Sequence, residues 1–111
     1  MKLLLDSHVF LWMQTRDPRL GAEVRKQIED RSTTVLLSVA SIWELGIKRS
    51  LGKVEFEFSE LLSAVQESEI TILKIDTAHA LAAVELPMHH RDPFDRMLIG
   101  QAMVEGARIG L

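Results

Sequence analysis

The sequence predicts a single domain of the α/β class, in which a central parallel sheet lies between two layers of helices. Short apolar runs at residues 3–5, 34–38 and 70–75 have the length and composition of buried strands. The segments between them are amphipathic or rich in alanine, which predicts helices. Strands that alternate with helices are typical of βαβ units, whose strands run parallel. With 111 residues the chain is long enough for one such domain with a core of its own.

The N-terminal segment contains a strand-to-helix junction. Three consecutive leucines at residues 3–5 end at Asp6, and the apolar residues 9–13 predict the first turns of a helix. Asp6 is therefore expected at the carboxyl end of a buried strand, the edge at which open α/β sheets bind ligands. An equal alternative is that Asp6 or Ser7 caps the helix, since both residue types are common at that position.

The first half of the chain continues with one helix, one strand and a second helix. Turn-forming residues at 17–21 lead into an amphipathic helix at 22–30. The strand at 34–38 is followed by a helix that opens at Ser41 and ends at Gly52, because glycine is frequent just past a helix end.

The second half repeats the alternation. Pro87 interrupts one helix and Gly106 ends the last one. The predicted elements are a helix at 59–67, a strand at 70–75, a helix at 77–86, a loop at 88–91, a helix at 92–105 and a fourth strand at 107–111.

Composition excludes several classes of protein. The chain has no cysteine, which excludes disulfides and thiolate metal sites and fits a reducing compartment. The apolar run after Lys2 is broken by Asp6 and is followed by no small-residue cleavage site, so no signal peptide is predicted. No apolar stretch reaches membrane-spanning length, and we therefore expect a cytoplasmic protein that does not bind a membrane. The net charge of −3 means that any nucleic acid would need a local basic patch or a metal ion.

Three carboxylates, Asp6, Glu44 and Asp95, are each predicted at a helix N-terminus near the carboxyl edge of the sheet. Each also has a purely structural interpretation. Glu44 fits a capping box with Ser41, or an ordinary i,i+4 pair with Lys48.

The last helix start has a similar alternative. In the segment at 92–95, Asp92 fits an N-cap, Pro93 the first helical position and Asp95 an acidic residue in the first turn. Taken together, however, the three carboxylates predict an acidic cluster that repels itself unless a divalent cation binds. Oxygen ligands completed by water suit Mg²⁺ or Mn²⁺, and such an ion can activate water and stabilise charge on a phosphate.

Three separated motifs carry a family resemblance. They are LLLDSHVFLW at 3–12, SVASIWELGIK at 38–48 and LPMHHRDPFDRMLIGQA at 86–102. These motifs closely resemble a subgroup of PIN-domain proteins, the VapC-like toxins of bacterial type II toxin–antitoxin pairs. The match runs in the right order through essentially the whole chain, which implies a single PIN-like domain over residues 1–111.

The resemblance implies an endoribonuclease that depends on Mg²⁺ or Mn²⁺ and is held in check by a small antitoxin protein. Asp6, Glu44 and Asp95 fall on three of the family's acidic metal-site positions, where Glu44 or Asp95 would orient the attacking water. The family continues past Gly106 into a complete strand, a Thr-x-Asp-like turn with a fourth acidic residue, and one more strand. Since the last strand and the fourth acidic turn are missing before Leu111, the resemblance predicts a chain truncated at its C-terminus and at most a weak nuclease.

Basic residues near the acidic motifs are candidates for RNA contact. Lys48, Arg91 and Arg96 are expected to line the approach to the acidic site and to bind RNA phosphates. The equal alternative is that they are ordinary surface charges.

Two candidate functions from different classes follow from the sequence and its family resemblance. One is the metal-dependent ribonuclease toxin, and the other is a catalytically impaired PIN-like protein that acts as a dimerisation or antitoxin-binding module. The apolar faces at 9–13 and 42–51 exceed what one small sheet needs to cover. They predict a homodimer, and a groove that accepts a partner helix carrying a basic residue into the acidic site.

Overall fold

The structure is a computed structural model that describes residues 1–87 and 92–110. The loop predicted at 88–91 and the final residue, Leu111, lie outside the described residues. The elements in chain order are β1 (Lys2–Leu5), α1 (Ser7–Thr15), α2 (Ala22–Glu29), β2 (Thr34–Ser38), α3 (Val39–Ser50), α4 (Phe58–Glu67), β3 (Thr71–Leu73), α5 (Thr77–Val84), α6 (Pro93–Glu105) and β4 (Arg108–Gly110).

The four strands form one parallel sheet in the order β3-β2-β1-β4. This confirms the parallel sheet predicted from the alternation of strands and helices. β1 lies between β2 and β4, with Leu4 opposite Leu36 on one side and Ile109 on the other. Because β1 and β2 are parallel neighbours, Asp6 and Ser38 mark the ends of adjacent strands at the same edge of the sheet.

The sheet has helices on both faces, as predicted. Successive side chains of a strand point to opposite faces. Leu3 and Leu5 accordingly belong to a core cluster with Phe10 of α1, which also includes residues from α3 and α4. Leu4 points the other way and packs in a second cluster with Leu98 of α6. The three-layer α/β/α arrangement is therefore confirmed.

On the second face, α5 and α6 pack very closely. A Cβ added at Gly100 of α6 would lie 2.8 Å from the backbone nitrogen of Ala83 in α5. Glycine is therefore required here because the two backbones approach each other, although it is a weak helix former.

The apolar side chains that are exposed on the surface differ in part from those predicted. Residues 9–13 were predicted to contribute apolar surface beyond what the sheet covers, but Val9 and Phe10 are 1% exposed because they fill the core above β1. The outer faces of α3 and α4 are available instead. Trp43 of α3 and Leu51, the C-cap of α3, are each 64% exposed, and Leu62 of α4 is 52% exposed. Among the described residues, no helix has the length and apolar character needed to cross a bilayer.

Candidate active site

Asp6 ends β1 and caps α1. Its Oδ1 accepts a hydrogen bond of 2.8 Å from the backbone N–H of His8, and His8 Nδ1 lies 3.2 Å from the same oxygen. The capping alternative for Asp6 is therefore correct. Both contacts use Oδ1, so the cap fixes the carboxylate while engaging only one of its two oxygens.

Glu44 lies on α3 and is held by a residue of α1. The Oγ of Ser7, which is fully buried, donates a hydrogen bond of 2.5 Å to Glu44 Oε1. Hydrogen bonds to an ionised carboxylate are the strong ones among protein hydrogen bonds. The bond joins the first residue of α1 to the second turn of α3. Both helices follow neighbouring strands, so the bond fixes the Glu44 carboxylate near the carboxyl edge of the sheet.

The structural interpretations of Glu44 are wrong. α3 begins at Val39 rather than at Ser41, because Ser38 is its N-cap and accepts a hydrogen bond from the N–H of Ala40. Ser41 therefore lies inside the first turn and cannot form a capping box with Glu44. Its buried Oγ has no hydrogen-bond partner among the described residues.

Lys48 does not form the predicted surface pair with Glu44. Lys48 Nζ lies 3.1 Å from Nε2 of His8, whose other ring nitrogen faces Asp6. A lysine ammonium can only donate, so in the neutral form of the His8 ring Nε2 accepts from Lys48 and the Nδ1–H faces the Asp6 carboxylate. His8 thus links Lys48 to Asp6.

Asp95 lies in the first turn of α6, as predicted. Asp92 is the N-cap and accepts hydrogen bonds from the N–H groups of Phe94 and Asp95, and Pro93 occupies the first helical position. The Asp95 residue remains open to solvent on one side. Asp95 is nevertheless placed by the capped start of α6.

The carboxylates of Asp6, Glu44 and Asp95 act on one another. The pKa of Asp95 is raised, first by partial burial of its carboxyl group and then by the negative charges of Asp92, Asp6 and Glu44, while His8 opposes the shift. Like charges disfavour the ionised form of a carboxylate when they lie nearby in a partly desolvated site. The structure therefore brings the three predicted carboxylates into one electrostatic cluster.

A second group of potential metal ligands lies elsewhere. Asp76, His79 and Glu105 are the described residues whose ligand atoms all lie within 4.8 Å of one another, a tighter grouping than that of the three edge carboxylates. His79 Nδ1 accepts from the backbone N–H of Asp76 in a capping box, so Nε2 carries the proton that is donated to Glu105 Oε2 at 2.8 Å. These bonds satisfy the buried imidazole and join α5 to α6.

The basic residues predicted to contact RNA have different surroundings. Arg96 donates to the backbone carbonyls of Ala83, Leu86 and Pro87 at 2.7 to 3.0 Å, and thereby ties the end of α5 to α6. Arg91 lies outside the described residues. RNA contact by Lys48, Arg91 or Arg96 stays a prediction.

Sequence reasoning missed the parts played by Ser7 and His8. The contact of Ser7 with Glu44 could have been predicted, because Ser7 directly follows Asp6 and because sequential strands are usually neighbours in a sheet. That rule places α1 and α3 side by side and Ser7 within reach of Glu44. The contact between His8 and Lys48 depends on two side-chain conformations, which no pattern in the sequence specifies.

Comparison with known proteins identifies the family. The sequence model of the PIN domain matches residues 3–109. A search of curated proteins found no match. Among solved structures, the chain is similar to one from a toxin–antitoxin complex of Klebsiella pneumoniae, with a TM-score of 0.60, 14% sequence identity, and coverage of 96% of this chain and 82% of the other. At that identity the likeness concerns the fold, whereas the family match spans nearly all of the sequence: the chain belongs to the PIN domain family.

Proposed function

We propose that the chain is an endoribonuclease that depends on Mg²⁺ or Mn²⁺ and acts as a toxin neutralised by a cognate antitoxin. The observation that carries the proposal is the acidic cluster at the carboxyl edge of the sheet, in which partial burial and the charges of Asp92, Asp6 and Glu44 raise the pKa of Asp95. PIN domains are generally nucleases, so the family match supports the same reaction class.

The donor set of the cluster fits a hard divalent cation. Asp6, Glu44 and Asp95 offer only carboxylate oxygens, and Mg²⁺ and Mn²⁺ prefer such ligands together with water. The mutual repulsion of the three groups is what a cation bound by them would relieve. When bound, the ion supplies Lewis-acid stabilisation of the negative charge that develops on a phosphodiester under attack.

Other residues of the chain are proposed to orient the attacking water and to bind the RNA. Glu44, held by Ser7, or Asp95, held by the start of α6, orients a water for attack on the RNA phosphodiester. Lys48 follows Glu44 by one helical turn and is placed to contact an RNA phosphate next to the one that is cleaved. Preorganised groups of this kind lower the barrier because little reorganisation is left for the reaction itself.

The antitoxin is proposed to cover the outer faces of α3 and α4. Trp43 on α3, Leu51 at its C-cap and Leu62 on α4 offer exposed apolar surface to an amphipathic partner helix. A basic residue of that partner would enter the acidic cluster and compensate its charge. The structural neighbour comes from a toxin–antitoxin complex, which supports a partner of this kind. A homodimer and a cytoplasmic location belong to the same proposal.

Cleavage of RNA by the purified chain tests the enzymatic part. We expect cleavage with Mn²⁺ or Mg²⁺ and none with a chelator. In Glu44→Gln the cleavage rate should fall by about 100-fold or more, the usual effect of losing an acid–base group. Glu67→Gln is the matched control, because Glu67 is an exposed acid at the end of α4. The proposal is wrong if Glu44→Gln cleaves as fast as Glu67→Gln.

The second candidate is a catalytically impaired module that dimerises or binds an antitoxin. The exposed apolar faces of α3 and α4 favour it, because they do not depend on the acidic cluster. Co-expression with the adjacent small open reading frame tests partner binding. A stable complex together with no cleavage under any metal condition would select this candidate over the nuclease.

A further inference from the structure

A groove of about 580 Å³ lies between α1 and the end of α3. We call it the basic groove and define it by five of its lining residues, His8, Trp12, Arg19, Lys48 and Lys53. Its volume falls in the range of sites that bind small molecules or single nucleotides.

The basic groove begins at the acidic cluster. His8 joins the two, since one ring nitrogen lies 3.2 Å from Asp6 Oδ1 and the other lies 3.1 Å from Lys48 Nζ. Lys48 follows Glu44 by four residues on α3, a rise of about 6 Å. Lys53 follows just past the helix end, where its N–H bonds the carbonyl of Lys48. Lys48 and Lys53 thus follow Glu44 along the chain, and both line the groove.

The charges of the groove favour a polyanion. Among the described residues, neither Lys48 nor Lys53 has a carboxylate oxygen within 4.0 Å. Of the two acids in the lining, Asp17 is paired with Arg19 at 2.6 Å, and Glu55 is the other. In a chain with a net charge of −3, two lysines without a carboxylate partner in the described part of the chain form a local attraction for phosphate.

The groove also offers a surface for a base. The Arg19 guanidinium lies 5.2 Å from the centre of the Trp12 ring, and its side chain is 70% exposed. Asp17 holds the same guanidinium through two oxygens, and this bond lowers the pKa of Asp17 to about 2. A guanidinium held over an aromatic ring presents its own outer face as a platform on which a nucleobase stacks without regard to sequence.

We propose that the basic groove binds the single-stranded RNA that flanks the cleaved phosphodiester on one side, with phosphates on Lys48 and Lys53 and a base on the Arg19–Trp12 pair. The proposal rests on the nuclease function proposed above, because it assigns the substrate strand a path from the acidic cluster. The RNA segment in the groove is single-stranded, since a base inside a duplex cannot reach a stacking platform.

Lys48 and Lys53 also lie at the C-terminal end of α3, where positive charge interacts favourably with the helix dipole. That role alone would change the stability of the protein and leave RNA binding unaffected. RNA binding and melting temperature must therefore be measured on the same variants.

The test uses fluorescence anisotropy of a short labelled RNA without secondary structure, with the full chain in chelator so that no cleavage occurs. In Lys53→Ala we expect the slope of log K against log salt to fall by about 0.7, the value for one phosphate contact on a single strand. In Arg19→Ala we expect affinity to fall about 5-fold or more, the loss of one stacked base. Lys26→Ala is the matched control, because Lys26 is an exposed lysine on α2, outside the groove.

The outcomes separate this proposal from the proposed function. If Lys53→Ala and Arg19→Ala bind RNA like Lys26→Ala while Glu44→Gln loses cleavage, the groove proposal is overturned and the nuclease stands. If the two groove variants lose RNA binding but the unmutated chain never cleaves, the groove is supported and the nuclease fails. If Lys53→Ala and Arg19→Ala lose antitoxin binding but bind RNA normally, the groove is a protein-binding site and the proposal is overturned. If Lys53→Ala changes only the melting temperature, Lys53 has only its role at the helix end, which also overturns the proposal.

Discussion

The hydrogen bond from Ser7 to Glu44 makes a quantitative prediction about Ser7→Ala. The substitution removes one buried oxygen and leaves the Glu44 carboxylate, which is partly buried, without its 2.5 Å donor. Hydrogen bonds to charged groups contribute about 1.5 to 3 kcal/mol to stability. Alanine regains at most about 0.5 kcal/mol through its higher helix propensity. We therefore expect the free energy of unfolding to fall by about 1 to 2.5 kcal/mol.

In a domain of this size, that loss lowers the melting temperature by about 4 to 12 °C. Urea denaturation followed by circular dichroism measures the free energy directly, with an unchanged m-value expected because the fold is kept. The same variant should bind Mn²⁺ more weakly, since Glu44 loses the group that positions it.

Ser50→Ala is the matched control for this measurement. It makes the same chemical change on α3, but the Ser50 hydroxyl is exposed and bonds only the carbonyl of Gly46 one turn earlier. Its effect should stay within about 0.5 kcal/mol. Equal stability losses in Ser7→Ala and Ser50→Ala would refute the argument that the buried bond holds Glu44 in place.

Two further predictions concern Asp95 and Gly100. The pKa of Asp95 in the folded protein is raised, so the folded protein binds a proton more readily than the unfolded chain, and stability falls as pH rises from 3.8 through the native pKa. Asp95→Asn should therefore melt at a higher temperature than the unmutated chain at neutral pH in chelator, and this difference should disappear below pH 3.8. An unchanged or lower melting temperature of Asp95→Asn at neutral pH would contradict repulsion between the carboxylates. Gly100→Ala should lose about 1 to 3 kcal/mol by urea denaturation, because its Cβ would meet the backbone of Ala83 at 2.8 Å. Gly46→Ala is the control, because its Cβ would lie an ordinary 3.5 Å from the Phe58 ring. This substitution should stabilise α3 by about 0.5 to 1 kcal/mol. Equal effects of Gly100→Ala and Gly46→Ala would show that α5 and α6 do not pack as described.

The fold was predictable because its signals are local. The buried run at residues 3–5 and the strand Thr34–Ser38 have a periodicity that distinguishes them from the helices, and the parallel order follows from the alternation of elements. The start of α3 was missed because Ser38 and Ser41 are both good caps, and only the end of β2 selects Ser38. Elements were thus easier to predict than their boundaries.

The acidic cluster was predictable in its residues but not in its supports. Parallel strands end at one edge, so Asp6 and Glu44 could be placed together from the chain alone. The bond from Ser7 to Glu44 and the contact between His8 and Lys48 depend on how two helices pack, which involves side-chain conformations rather than periodicity. Resemblance to a family can identify such acids, whereas the groups that hold them must be read from the structure.

We propose that Asp6, Glu44 and Asp95 together hold one divalent cation. Calorimetric titration with Mn²⁺ tests it most directly, on the unmutated chain, on Asp95→Asn and on Asp76→Asn. Asp76→Asn removes a carboxylate from the second group of potential ligands while asparagine keeps the cap of α5. We predict one Mn²⁺ per chain, bound equally by Asp76→Asn and lost in Asp95→Asn without loss of the fold. Binding that survives in Asp95→Asn and disappears in Asp76→Asn would contradict the account and place the ion at the other group.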